Sequence, residues 1–300
     1  MNINPNLFIS VNNENHYKDI CNKGHCFDHE LLADTHNVLL ECSDFIKSVV
    51  FKSSSKDLSQ LILDGKIDKD NIEFYSDNED HQAFLNHSNI LGQIRKIASE
   101  MAEHIDEKYN KENILNVSAH HTYYDVIKSN TGNCGEMAVL SGAIIKIIFE
   151  QRMKSLGYNE DKLNQMNIKV SVGGAQENTG DHAVSVLEIN AGNKSNEQKF
   201  TYFIDPWSNG AVIAAEDASE FYGIYGDNHY SSEKITFGYV PTLTTLINDE
   251  KFLSSIKQTL KNIHNIDLEN IGVDNPFEQA DIQRDLKLLD YKNKLAQMNT

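Results

Sequence analysis

Cys134 stands in Ser129-Asn-Thr-Gly-Asn-Cys-Gly-Glu-Met-Ala138, where a glycine-containing turn opens onto a long apolar run. The start of a helix carries partial positive charge and N–H groups with no partner inside the helix. Both favour a thiolate over a thiol, and the thiolate is the nucleophile. Two further segments follow along the chain: Gly180-Asp-His-Ala-Val184 and Phe203-Ile-Asp-Pro-Trp207. Cysteine, histidine and aspartate in that order supply what is needed to open a carboxamide. Cys134 attacks the carbonyl carbon. His182 takes the thiol proton and returns it to the leaving nitrogen. Asp205 holds the imidazole in its productive tautomer and stabilises its cationic form.

The tetrahedral intermediate then needs donors for its oxyanion. The backbone N–H of Cys134 is the first. For the second, Asn133 and Asn130 are nearest in sequence, and His120, His121, Tyr123 and Tyr124 lie just upstream. Trp207, the only tryptophan, has two readings: a lid that keeps water off His182 and Asp205, or a core anchor held in place by its large area. Glu136, two residues past the cysteine, suits the first turn of a helix.

These groups need elements to position them. A helix is predicted from about Cys134 to Lys154, with the small residues Ala138, Ser141, Gly142 and Ala143 allowing close packing on a sheet. Three alternating runs read as strands at 168–172, 182–189 and 199–205, with a fourth at 234–240. Helical spacing marks 31–50, through Leu31, Thr35, Val38, Cys42, Phe45 and Val49, and also 82–109. It returns from Leu243 to Ile263 and again over roughly 279–295. The polar stretch around 53–80 reads as loops with one short helix, and Gly173-Gly174 as a strand end that leaves room for a ligand. The expected class is α+β: a mostly helical region over 1–125, a core over 126–245 and C-terminal helices over 246–300.

The hairpin between the second and third strands can be given a register. Its turn material, Ala191-Gly-Asn-Lys-Ser-Asn196, centres between Asn193 and Lys194. A regular hairpin then sets His182 directly opposite Asp205, Glu188 opposite Lys199, Val184 opposite Phe203 and Leu187 opposite Phe200. Val184 and Val186 share the face of His182, and that face is expected to pack on the Cys134 helix. A slip of one residue would put His182 and Asp205 on opposite faces.

Composition removes several classes. The 27 Lys and Arg against 44 Asp and Glu give a net charge of −17, a poor balance for nucleic acid or anionic membrane surfaces. The longest apolar run, Met137 to Phe149, is too short to span a membrane. The N-terminus has no secretory pattern, and cysteines at 21, 26, 42 and 134 do not form a disulfide framework. Cys42 falls on an apolar stripe and reads as core. The segment Cys21-Asn-Lys-Gly-His-Cys26-Phe-Asp-His29, with His16 and His36 nearby, lacks the usual zinc spacing, so no metal or other cofactor is expected.

At Gly132-Asn-Cys-Gly-Glu-Met-Ala138, Asp181-His-Ala183 and Ile204-Asp-Pro206 the chain resembles the papain-like cysteine enzymes of the transglutaminase-like superfamily. The resemblance covers about 130 to 240. It implies a nucleophile helix packed on an antiparallel sheet, with Cys134 as nucleophile, His182 as base and acid, and Asp205 as its orienter. It implies a protein substrate and an outcome of peptide cleavage or glutamine deamidation, or crosslinking if an amine takes the acyl group. The chain lacks the tryptophan before the nucleophile and the calcium loops of animal transglutaminases, which disfavours crosslinking. A non-catalytic binding module on the same fold is the alternative from another class. The Asn- and Lys-rich, Pro-poor composition resembles that of bacteria with AT-rich genomes. It points to an effector acting on a host protein, placed in the cytoplasm or exported into a host cell without a signal peptide.

Overall fold

The structure, a computed structural model, describes residues 17–18, 21, 28–53, 79–108, 114–175, 182–191, 198–208, 210–218, 221–222 and 237–268. Several expectations lie outside these: the short helix within 54–78, the turn at 192–197, Asp181, the helix at 279–295, and Cys26 with His16 and His25.

The described chain is α+β. Its helices among the described residues include α1 His29–Val49, α2 Glu79–Lys108, α3 Ile114–Ser129, α4 Cys134–Ser155, α5 Glu160–Gln165, α6 Pro241–Ile247 and α7 Glu250–His264. The strands among the described residues are β1 Lys169–Ala175, β2 Ala183–Ala191, β3 Gln198–Asp205, β4 Ala211–Ala214 and β5 Phe237–Tyr239. They form one sheet in the order β4-β3-β2-β1-β5, every neighbouring pair antiparallel. No helix among the described residues is long and apolar enough to cross a membrane.

Helix starts follow from their caps. Asp28 accepts from the N–H groups of Glu30 and Leu31 at the head of α1. Asp249 accepts from Lys251 and Phe252 at the head of α7, which separates α6 from α7 within the helical stretch expected from Leu243 to Ile263. Helix α3 and strand β4 were not anticipated. Ala211-Val-Ile-Ala214 is a four-residue apolar run, a length at which periodicity says nothing.

Helix α4 is buried on most sides, as its Ala-, Ile- and Val-rich sequence requires. It packs between α1 and the sheet, and one core joins Leu39, Phe45 and Val49 of α1, Leu140, Ile144 and Ile148 of α4, and Leu187, Ile189 and Tyr202 of the sheet. The buried Arg152 near the end of α4 forms a two-pronged ion pair with Glu41 in the middle of α1 at 2.8 and 3.0 Å, which ties the two helices together.

The sheet has a second face with a smaller core: Val184, Val186, Phe203, Ala211, Ile213, Phe221 and Tyr222, with Phe237 against them. This corrects the expectation for Val184 and Val186. Their face is packed, but on this aromatic cluster. Helix α4 covers the other face, where Ser185 Oγ donates to the Ala138 carbonyl.

The register also differs from the simple hairpin. Val186 faces Phe203, Leu187 faces Tyr202, Glu188 faces Thr201 and Ile189 faces Phe200. Each pairing is moved by two residues from the expected one. The physical reason is that turn composition leaves the turn centre free to move along the chain, while alternation of side chains fixes only its parity. An even shift keeps every residue on its expected face. The ion pair between Lys199 and Glu188 survives as a diagonal contact.

Gly173 and Gly174 do not end a strand. They lie inside β1 and pair with β2 on one side and β5 on the other. A Cβ on Gly173 would stand 2.9 Å from Phe237 Cβ and 3.1 Å from Val186 Cγ2, so the space is filled by Phe237 instead of a ligand. Gly173→Ala is therefore expected to cost about 1–3 kcal/mol by overpacking. Thermal unfolding measures it, and an unchanged midpoint would show that Phe237 can shift without penalty.

Candidate active site

Cys134 is the first residue of α4, and His182 is the residue just ahead of β2. They meet at the ends of these two elements: the Cys134 side chain is a hydrogen-bond partner of the His182 ring. On the other side of that ring, His182 Nε2 lies 2.7 Å from Asp205 Oδ2. With Nε2 committed to the carboxylate, Nδ1 is the nitrogen left for the thiol. The structure thus brings Cys134, His182 and Asp205 together, although His182 is not directly opposite Asp205. Extending the observed register places Trp207 opposite His182, and Asp205 is reached diagonally.

Asp205 is wholly buried and fully partnered. Oδ2 also accepts from the Tyr222 hydroxyl at 2.8 Å, and Oδ1 accepts from the Ser208 N–H at 3.0 Å. Burial would push this carboxyl up, but the His182 charge, the His182 hydrogen bond and Ser208 hold it below the ordinary carboxylate value. For His182, burial pulls the imidazole down. The Asp205 charge and hydrogen bond, followed by Cys134, outweigh that and push it up to about 10. The pair therefore rests as imidazolium and carboxylate over most of the neutral range.

An aromatic wall surrounds the imidazole. The rings of Trp207, Tyr222 and Phe237 stand 5.2, 6.0 and 6.3 Å from it, centroid to centroid. Trp207 stands against the His182 ring and also packs, partly buried, on the main core. Cys134 is only partly buried, and a Cβ built at the next residue, Gly135, would meet nothing within 4 Å.

The turn ahead of Cys134 is held by a strand-like contact from the end of α1. The Lys52 N–H donates to the Asn130 carbonyl, and the Gly132 N–H donates to the Lys52 carbonyl. A Cβ on Gly132 would stand 2.9 Å from Val50 Cγ1, so only glycine lets the two segments approach this closely. Asn130 is a structural residue. It takes the left-handed conformation at φ 58° past the end of α3, and its amide donates to the Val49 and Ile127 carbonyls. Its expected place beside the oxyanion is thereby corrected: the donor is spent on closing the turn. Asn133 does stand at the helix start, where its N–H donates to Glu136 Oε2 at 3.0 Å.

Glu136 is more than a favourable first-turn charge. It is buried, and Arg95 of α2 grips both of its oxygens at 2.8–3.1 Å, so its negative charge is met close to Cys134. His120 and Tyr123 turn their rings onto Phe252 of α7. Their place is the α3–α7 contact, not an oxyanion hole. Burial lowers the His120 imidazole and raises the Tyr123 phenol. Cys42 is fully buried and its thiol is pushed far up by that burial. His36 is a core histidine, with Nδ1 2.6 Å from the Tyr17 hydroxyl. Tyr222, Ser53 and Arg95 carried no signal in the sequence, because each reaches the site from a distant segment with no characteristic spacing.

No family model, curated protein or solved structure matches the chain.

Proposed function

We propose that the chain is a papain-like thiol hydrolase acting on a carboxamide of a protein substrate. The observation that carries this is the His182 ring held between Cys134 on one side and a buried, fully partnered Asp205 on the other. A helix headed by the nucleophile and packed on an antiparallel sheet supports the papain-like reading.

The steps follow from the resting charges. Cys134 attacks the carbonyl carbon in its thiolate form beside the His182 imidazolium, and the S–C bond forms. The oxyanion takes the Cys134 N–H, which the helix start directs outward. Collapse breaks the C–N bond as the imidazolium proton passes to the departing nitrogen, leaving a thioester. Neutral His182 then takes a proton from water, whose oxygen attacks the thioester. The S–C bond breaks, the acid leaves and the ion pair is restored. Ammonia departs if the carboxamide is a glutamine side chain, and an amine terminus departs if it is a peptide bond.

The test compares lysate proteins treated with the wild type or with Cys134→Ala by mass spectrometry. Gln-to-Glu conversion identifies a deamidase, new termini identify a protease, and Gln–Lys links identify an acyl transfer to amines. No difference in any of the three would leave a non-catalytic binding module as the better account.

A further inference from the structure

We infer that Ser53 is a positioning residue for the chemistry at Cys134, acting by tying the indole beside His182 to the amide that precedes the nucleophile. This rests on Cys134 being that nucleophile. Ser53 is buried at 4 % exposure, four residues past the end of α1. Trp207 Nε1 lies 3.2 Å from its hydroxyl, and the hydroxyl lies 3.0 Å from Asn133 Oδ1.

Donor chemistry fixes the direction of this chain. An indole N–H can only donate, so Ser53 must accept from Trp207. The single hydroxyl proton of Ser53 then goes to Asn133. That requires the Asn133 side chain to present its oxygen to Ser53 and turn its nitrogen the other way. One hydroxyl thus sets two things that the reaction needs together: the placement of Trp207 against the His182 ring at 5.2 Å, and the orientation of the amide directly before Cys134.

The backbone around Ser53 is built to hold it there. The neighbouring Lys52 is bonded on both sides to the turn of Asn130 and Gly132, and the Asn130 amide reaches back to Val49. Ser53 is therefore placed by the same contact that places the cysteine turn. Trp207 follows Asp205 by two residues, so the chain from Ser53 also reaches the carboxylate arm of the site.

The test uses the full chain and follows iodoacetamide labelling of Cys134 by peptide mass spectrometry, with thermal unfolding measured in parallel. Ser53→Ala is expected to slow labelling about five- to tenfold, the scale of one or two lost hydrogen bonds, with an unfolding midpoint near that of the wild type. Ser53→Thr keeps the hydroxyl and should restore the rate. Trp207→Phe removes the indole N–H, and its combination with Ser53→Ala should be no slower than the slower single variant. Labelling of Ser53→Ala at the wild-type rate while His182→Ala is slow would overturn the inference. So would Ser53→Thr as slow as Ser53→Ala, or single effects that multiply. If Ser53→Ala does not fold, Trp207→Phe alone decides, and a wild-type rate overturns it. A wild-type rate in His182→Ala would remove the thiol-enzyme proposal itself, and this inference with it.

Discussion

Asp205→Ala is expected to slow iodoacetamide labelling of Cys134 by about tenfold or more, and to destabilise the protein by about 3–5 kcal/mol. Both effects have one origin. The carboxylate is the common acceptor for the His182 ring, the Tyr222 hydroxyl and the Ser208 N–H, and the carboxylate, the ring and the hydroxyl are buried. Alanine leaves two buried donors, the His182 ring and the Tyr222 hydroxyl, and the part-buried Ser208 N–H without their acceptor. It also removes both the charge and the hydrogen bond that, together with Cys134, offset burial at His182, so burial then favours the neutral imidazole. Asp205→Asn separates the two contributions. It keeps an acceptor oxygen for Tyr222 or Ser208 but not the charge, so part of the stability should return while labelling remains slow. A folded Asp205→Ala that labels at the wild-type rate would refute the assigned role.

The second large effect is on stability against pH. His182 sits near 6.5 in the unfolded chain and is pushed up to about 10 in the folded one. The native state therefore binds more protons between these values, and the stability from this group is fully present below about 6.5 and lost as pH rises toward 10. Asp205 works in the opposite sense. Its folded value lies below the ordinary 3.8, so its contribution is present above 3.8 and lost as pH falls through the lowered value. The contribution of the pair is thus greatest in weakly acidic solution. The measurement is the urea midpoint of wild type and His182→Gln from pH 5 to 10. The wild-type advantage should be largest near pH 6 and shrink steadily toward 10. The comparison with the variant is needed because a chain of net charge −17 also repels itself more as remaining cations titrate. An advantage that grows with pH would contradict the raised imidazole.

Much of the site was legible before any coordinates. Cys134 at a helix start, His182 at the head of one strand and Asp205 at the end of the next follow from local signals: a glycine turn, a long apolar run, and alternation with a period of two. Local signals of this kind act over a few residues, which is why the α+β class and most elements could be read. The same locality explains the errors. Alternation gave the correct shared face for His182 and Asp205 but not the register, which moved by two because the turn residues allow it. It also could not say which face α4 covers, since Val186 and Leu187 are equally apolar.

Only tertiary structure decided the rest. Tyr222 reaches Asp205, Arg95 neutralises Glu136, and Ser53 joins Asn133, 80 residues away, to Trp207, 154 residues away. The type of a buried serine or arginine says that it must find a partner, because an unmet polar group is costly in the interior. It does not say which partner. That depends on how α1, α2 and the sheet close around the start of α4, a property of the packed chain as a whole and not of any segment. The sequence by itself determined which groups could open a carboxamide, through residue type and order. Packing determined that His182 meets Cys134 and Asp205 together inside an aromatic wall, because only there do burial and opposing charge act on the same imidazole.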